Sequence, residues 1–287
     1  MKPLFASDPV VAVTGRVLQP YNGDHTMKIP MLALSLSLVA ATAGFSAGAR
    51  ADALDDVMKA KIIRIAVPQD FAPFGSAGPD LKPVGYDIDM ANLIGKELGV
   101  KVEVVPVNSA NRIPYLQTKK VELVISSLGK NEERERVIAF SDAYAPFFQG
   151  VFGLKDAKIA KPEDLAGKTV GATRGSIEEQ EITKLAPPTA TIKRYEDNNA
   201  TIASFLSGQV DIIATGNIVA AAIAEKSPGR APVSKFVIKD SPCFVGMNKG
   251  EDKLLAKVNE IIAKAKADGE LNKISEKWLK APIPANI

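Results

Sequence analysis

From Lys61 onward the chain alternates short apolar runs with amphipathic stretches, and it does so twice. "KIIRIAVP" (61–68) reads as a strand. "VGYDIDMANLIGKELG" (84–99) places Ile88, Ala91, Ile94 and Leu98 on one helical stripe and stops at Gly99. "VKVEVVPV" alternates like a strand, "RIPYLQTKK" is a short helix, and "VELVIS" is the next strand. A second round follows. "KTVGATRG" (168–175) runs into the helix "SIEEQEITKLA", where Ser176 and Glu179 have capping-box spacing. "TIKRYED", "NATIASFLSG", "QVDIIATG" and "NIVAAAIAEK" continue as strand, helix, strand and helix, the last capped by Asn217. Two helices, "EDKLLAKVNEIIAKAKADG" and "ELNKISEKWL", finish the chain. This rhythm predicts an α/β fold of two similar lobes, each with a mainly parallel sheet covered by helices.

Two extended segments, near 144–153 and 235–246, join the lobes. They are apolar and contain little Gly or Ser, unlike a flexible linker. The expected organisation is lobe 1 at 52–146 plus 243–287, lobe 2 at 150–240, and a hinge near 145–150 and 238–243. A cleft between hinged lobes is a natural place for a small ligand.

The first 51 residues stand apart. Residues 27–51 have a basic start at Lys28, an apolar stretch to about Phe45, and small residues ending in Ala49-Arg50-Ala51. That is the plan of a secretory signal peptide cleaved after Ala51, and the apolar stretch is too short and diluted for a membrane anchor. Residues 1–26 carry no fold pattern and read as a mis-assigned start before Met27. No cysteine lies near the cleavage site to take a lipid. An exported, unanchored protein points to a Gram-negative periplasm.

Composition narrows the function. Removing residues 1–51 takes away four basic and two acidic residues, which reduces the net charge from +3 to +1. No basic block suggests nucleic-acid binding. The one histidine, His25, leaves with the same segment, so the remaining 236 residues have no imidazole for a triad, a metal site or general base work. The one cysteine, Cys243, allows no internal disulfide and sits in an apolar context that reads as an inert buried thiol. No cofactor is expected.

One stretch does not fit a purely structural role. "VISSLGKNEERER" (124–136) begins as an apolar strand, then turns into two hydroxyls, a glycine and a charge cluster. In isolation Arg134 reads as a helix-surface charge paired with Glu132 or Glu135. The wider register says otherwise. "GYDIDMANLIGKELG", "FAPF" (71–74), "RIPYLQTKKVELVISSLGKNEERERVIAFSDAY" (112–144), "EDLAGKTVGATRGS" (163–176), "FLSGQVDIIAT" (205–215) and "GELNKISEKWL" (269–279) resemble, in order, the polar amino-acid-binding proteins of bacterial ABC importers (solute-binding protein family 3).

That resemblance implies two α/β lobes on a two-strand hinge, closing on one amino acid, with an inner-membrane permease as partner and a monomeric receptor. It implies that Ser127, the backbone of Gly129, and Arg134 clamp the ligand's α-carboxylate, with N–H groups of Ser176 and Ile177 opposite. A guanidinium fork and a helix N-terminus both suit a carboxylate. Phe71 matches an aromatic over the ligand's side chain. Asp70, Thr173 and Thr215 complete the candidate binding set. Arg136 has no such register and reads as surface.

"SANRIPYL" (109–116) resembles the glutamate/aspartate-binding branch, which implies that Ser109 and Arg112 read a distal carboxylate. The sequence departs from family pattern at Gly216, where many members carry an aspartate for the α-amine. Pro68 and Asn198 replace a basic residue and a histidine of the acidic-ligand branch. A neutral polar ligand such as glutamine therefore stays open, and the amine is left to a carbonyl, Glu178 or Asp70. Two other readings remain: a cyclohexadienyl-dehydratase-like enzyme, with Asp70 or Glu178 as acid or base, and a sensor acting through a partner.

Overall fold

The computed structural model describes residues 52–287. The expected signal segment, its cleavage site and His25 lie outside the described residues.

In chain order the strands are β1 (Ile62–Pro68), β2 (Asp70–Phe71), β3 (Gly75–Ala77), β4 (Pro83–Val84), β5 (Lys101–Val107), β6 (Leu123–Leu128), β7 (Ile138–Ala145), β8 (Phe148–Gly153), β9 (Thr169–Thr173), β10 (Thr191–Tyr195), β11 (Ile212–Gly216), β12 (Val233–Asp240) and β13 (Cys243–Asn248). The helices are α1 (Ala53–Ala60), α2 (Tyr86–Leu98), α3 (Arg112–Gln117), α4 (Glu132–Glu135), α5 (Ile177–Leu185), α6 (Asn198–Leu206), α7 (Asn217–Lys226), α8 (Asp252–Ala267) and α9 (Glu270–Leu279).

Ten of these strands form two five-stranded sheets, in the orders β5-β1-β6-β13-β7 and β10-β9-β11-β8-β12, and β2, β3 and β4 form a small antiparallel third sheet. The chain passes between the sheets twice, from β7 to β8 through Pro146 and Phe147 and from β12 to β13 through Ser241 and Pro242. This is the two-lobe α/β architecture that the doubled strand–helix rhythm predicts.

Each sheet is only half parallel, a correction to the sequence reading. Strands β5, β1 and β6 pair in parallel, as do β10, β9 and β11. The pairs β6–β13, β13–β7, β11–β8 and β8–β12 are antiparallel. The reason is connectivity: the crossing strands enter each sheet from the other lobe, and no helical crossover precedes them.

Local chemistry explains the main elements. Helix α2 buries Ile88, Ala91, Ile94 and Leu98 on one stripe and ends at Gly99, whose φ of 65° closes the helix with a bond to Gly95. Strand β6 is buried along its whole length, as its unbroken apolar run requires. Ser176 caps α5 and accepts from Glu179 N at 3.0 Å, but the Glu179 carboxylate takes the N–H of Gly175 rather than closing the box on Ser176. Asn217 does not cap α7. Its Oδ1 accepts from Phe148 N at 3.0 Å and so ties the first crossing to lobe 2. Asp197 caps α6.

Candidate binding cleft between the lobes

Strand β6 ends inside the cleft, and the ending is built with care. Ser127 has a φ of 40°, a left-handed conformation unusual for a residue with a side chain. Asp87, at the start of α2 and buried, holds it there by accepting from Ser127 N at 2.7 Å. The other Asp87 oxygen accepts from the Tyr144 hydroxyl at 2.5 Å. Burial pushes the Asp87 carboxyl up to about 7, against these two bonds.

Four residues on, Asn131 caps the short α4 through Arg134 N at 3.0 Å. The cap turns the Arg134 side chain inward, and it is 3% exposed. Arg134 Nη1 donates to Gly129 O at 2.8 Å, and Nη2 reaches across the cleft to Gly175 O at 3.0 Å. Its Nε has no partner. Burial and the nearby Arg112 charge lower its pKa to about 9. This is a desolvated cation whose hydrogen bonds go only to carbonyls, with Glu178 and Glu181 acting on it through space, an arrangement that leaves its Nε open to an anion. The N-terminus of α5, with Ser176 and Ile177, lines the same cleft from the other lobe.

Arg112 also lines the cleft and is buried. It donates from Nη1 to Ser126 O at 2.7 Å and from Nε to Ser109 O at 3.2 Å. Burial lowers its pKa, and Glu178 and Asp70 raise it. Glu178, in the first turn of α5, is pushed up by burial and held down by its own backbone N–H and by Arg112 and Arg134. Asp70 is also pushed up by burial. Its Oδ2 accepts from Asn198 N at 2.7 Å and Asn198 Nδ2 at 3.1 Å, which lowers it. Asp70 Oδ1 is buried without a partner.

The cleft thus brings together Asp70, Phe71, Ser109, Arg112, Ser127, Arg134, Ser176 and Ile177. Three candidates lie elsewhere. Thr173 turns into lobe 2 and meets Asn198 Oδ1 at 2.9 Å and Thr201 Oγ1 at 2.7 Å. Thr215 is buried in β11 opposite Gly150. Gly129 acts through its carbonyl on Arg134 and does not line the cavity. Phe71 stacks with Phe74 and tilts against Phe147, at centroid distances of 6.1 and 6.2 Å. Asn198 lines the cleft although the sequence offered no positive signal for it. Arg136 is exposed beside Glu132.

The lobes touch around this cleft. Asn131 Nδ2 donates to Gln180 Oε1 at 3.1 Å and Glu181 Oε1 at 2.9 Å, and Lys184 pairs with Glu133 at 2.9 Å. Gly175, with a φ of 73°, approaches so closely that a Cβ there would sit 2.7 Å from Ala110 Cα. The free space left inside is about 20 Å³, roughly one water. No group of side chains able to hold a metal ion occurs among the described residues.

Two α/β lobes around a cleft lined by a buried guanidinium and a helix N-terminus have the build of a solute-binding protein. Comparison makes this particular: residues 63–281 match the model of the bacterial extracellular solute-binding proteins, family 3, and the chain belongs to that family. It is 30% identical over 223 residues to the ABC transporter glutamine-binding protein GlnH of Bacillus subtilis, covering 76% of this chain and 81% of that protein. It is 26% identical over 256 residues to the L-cystine-binding protein TcyJ of Escherichia coli K12, covering 87% and 95%. The fold is similar to the crystal structure of the ancestral amino acid-binding protein AncCDT-1, a precursor of cyclohexadienyl dehydratase. That match has a TM-score of 0.73 and 34% identity, covering 79% of this chain and 99% of that one.

Proposed function

We propose that this protein is a periplasmic receptor that closes on a polar amino acid and delivers it to an ABC importer. One observation carries the reading: Arg134 is buried in the cleft with an unpartnered Nε, facing a helix N-terminus on the opposite lobe. The relatives, named for glutamine and cystine binding, support the same class of ligand. The α-carboxylate docks on Arg134, the Ser127 hydroxyl and the N–H of Ile177, whereas the Ser176 N–H, expected from the sequence to join them, is already given to Thr173 O at 3.1 Å. A free space of roughly one water requires the lobes to part for entry, bending at the two crossings. Ligand affinity for the closed form then drives closure. The resemblance at Ser109 and Arg112 implies an acidic side chain, and the departures at Pro68 and Asn198 leave a neutral polar one open.

Thermal unfolding in the presence of each amino acid tests the reading, because a ligand that binds only the folded chain raises its apparent stability. No stabilisation by any amino acid would overturn it.

A second reading is an enzyme like cyclohexadienyl dehydratase. It is favoured by the buried Glu178 carboxyl, which burial pushes up in a cleft, and by the likeness to AncCDT-1. Turnover of prephenate or arogenate by the purified protein would establish it.

A further inference from the structure

We infer that Asp70 is the ammonium subsite of this cleft, and that the cleft selects amino acids whose side chain carries no charge. The inference rests on the receptor reading above.

Among the described residues, four buried side-chain polar atoms lack a hydrogen-bond partner, and two of them belong to residues that line the cleft: Arg134 Nε and Asp70 Oδ1. One is a cationic donor and the other an anionic acceptor. Together they form the complement of a zwitterion. An unpartnered charged atom in a desolvated site is costly, and an α-amino acid relieves both costs at once. Asp70 is 6% exposed and fixed in place, because its second oxygen takes two N–H groups of Asn198 from the other lobe. Its free oxygen is therefore presented, not mobile.

The end of β11 offers no alternative. Gly216 has no side chain, and a Cβ built there would run into the Phe147 ring. Phe147 is itself locked in the aromatic cluster by edge contact with Phe74 at 5.4 Å. A carboxylate cannot occupy position 216 without expelling that ring. Glu178 is the other acid in the cleft, but its carboxylate folds back on its own N–H and on Ser176.

The charges lining the cleft then decide the side chain. Arg112 and Arg134 face Asp70 and Glu178, two of each sign. A net-neutral zwitterion preserves the balance. A second ligand carboxylate adds an uncompensated anion beside two buried acids, since Arg112 is already matched by Glu178 and donates to two carbonyls. A cationic side chain meets Arg112 itself. In a desolvated cleft either imbalance is expensive.

Calorimetric titration of the protein with each of the twenty amino acids and L-cystine tests both parts, alongside Asp70→Asn and Glu178→Gln. The tightest ligand is expected to be uncharged in its side chain. Asp70→Asn should weaken that ligand at least 30-fold, while Glu178→Gln weakens it by a smaller factor. Asparagine keeps an acceptor for Asn198, and circular dichroism checks that the variant is folded. Tightest binding of glutamate, aspartate, lysine or arginine would overturn the selectivity. Loss under threefold in Asp70→Asn, or a larger loss in Glu178→Gln, would overturn the ammonium assignment. If no amino acid binds the unaltered protein, the receptor reading fails, and this inference falls with it.

Discussion

Asp87 and Ser127 are 40 residues apart, and one Asp87 oxygen accepts the Ser127 N–H at 2.7 Å. The bond joins the start of α2 to the end of β6 beneath the cleft floor. It turns a position that an ordinary residue avoids into a fixed corner from which Ser127 faces the cleft.

Asp87 should make stability pH-dependent. Its carboxyl titrates near 7 when folded and near 3.8 when unfolded. Between those values the folded chain binds more protons, so this group's contribution to stability is greatest below about pH 4 and is lost as pH rises to about 7. Its limiting slope is about 1.4 kcal/mol per pH unit. Denaturant midpoints for Asp87→Asn should therefore fall less than wild type from pH 5 to pH 8. Parallel curves for the two proteins would contradict the assignment.

Arg134→Ala should weaken binding of any amino-acid ligand by two orders of magnitude or more, the loss expected on removing one side of a buried, hydrogen-bonded charge pair. The fold should survive, because the removed cation is desolvated and its hydrogen bonds go only to two carbonyls. Near-wild-type affinity in calorimetry would mean that the carboxylate docks elsewhere.

The rim pair behaves differently. Lys184 and Glu133 join the lobes at 2.9 Å, but their side chains are 51% and 52% exposed. Exposed pairs contribute roughly 0–1 kcal/mol and are screened by salt. Glu133→Gln should change ligand affinity less than about fivefold, and the difference should vanish in 1 M salt, which shortens the screening length to about 3 Å. A large, salt-resistant loss would give the rim a role in closure that its exposure does not support.

Gly216→Ala places a methyl group against Phe147. Overpacking of this kind costs about 1–3 kcal/mol, seen as a lower melting temperature. Combining it with Phe147→Leu should recover part of the loss, since the smaller side chain vacates the contested space. Additive losses in the double mutant would show that the ring is not the obstacle.

Much of this cleft could be read from residue order. The apolar run of β6 ending in two serines places Ser127, and the capping spacing at Ser176 places the N-terminus of α5. What failed to show locally was pairing at a distance. Asp70 and Asn198 meet across 128 residues, and nothing in either neighbourhood signals the other. Asn217 looked like a helix cap because its local spacing allows one, but tertiary contact gives its oxygen to Phe148 instead. Thr173 sits on a strand that reaches the cleft, yet its hydroxyl finds better partners in Asn198 and Thr201. The half-antiparallel sheets escaped for a similar reason. Strand direction depends on which lobe the chain has just left, and hydrophobic periodicity carries no record of that.

The approach of Gly175 to Ala110 has an evolutionary corollary. Backbone already rests against backbone there, with no side chain interposed, so this point marks the tightest fit that a polypeptide permits. A side chain at position 175 would meet the Ala110 main chain before the lobes had come this close, so a lineage that replaces this glycine must accept jaws propped wider.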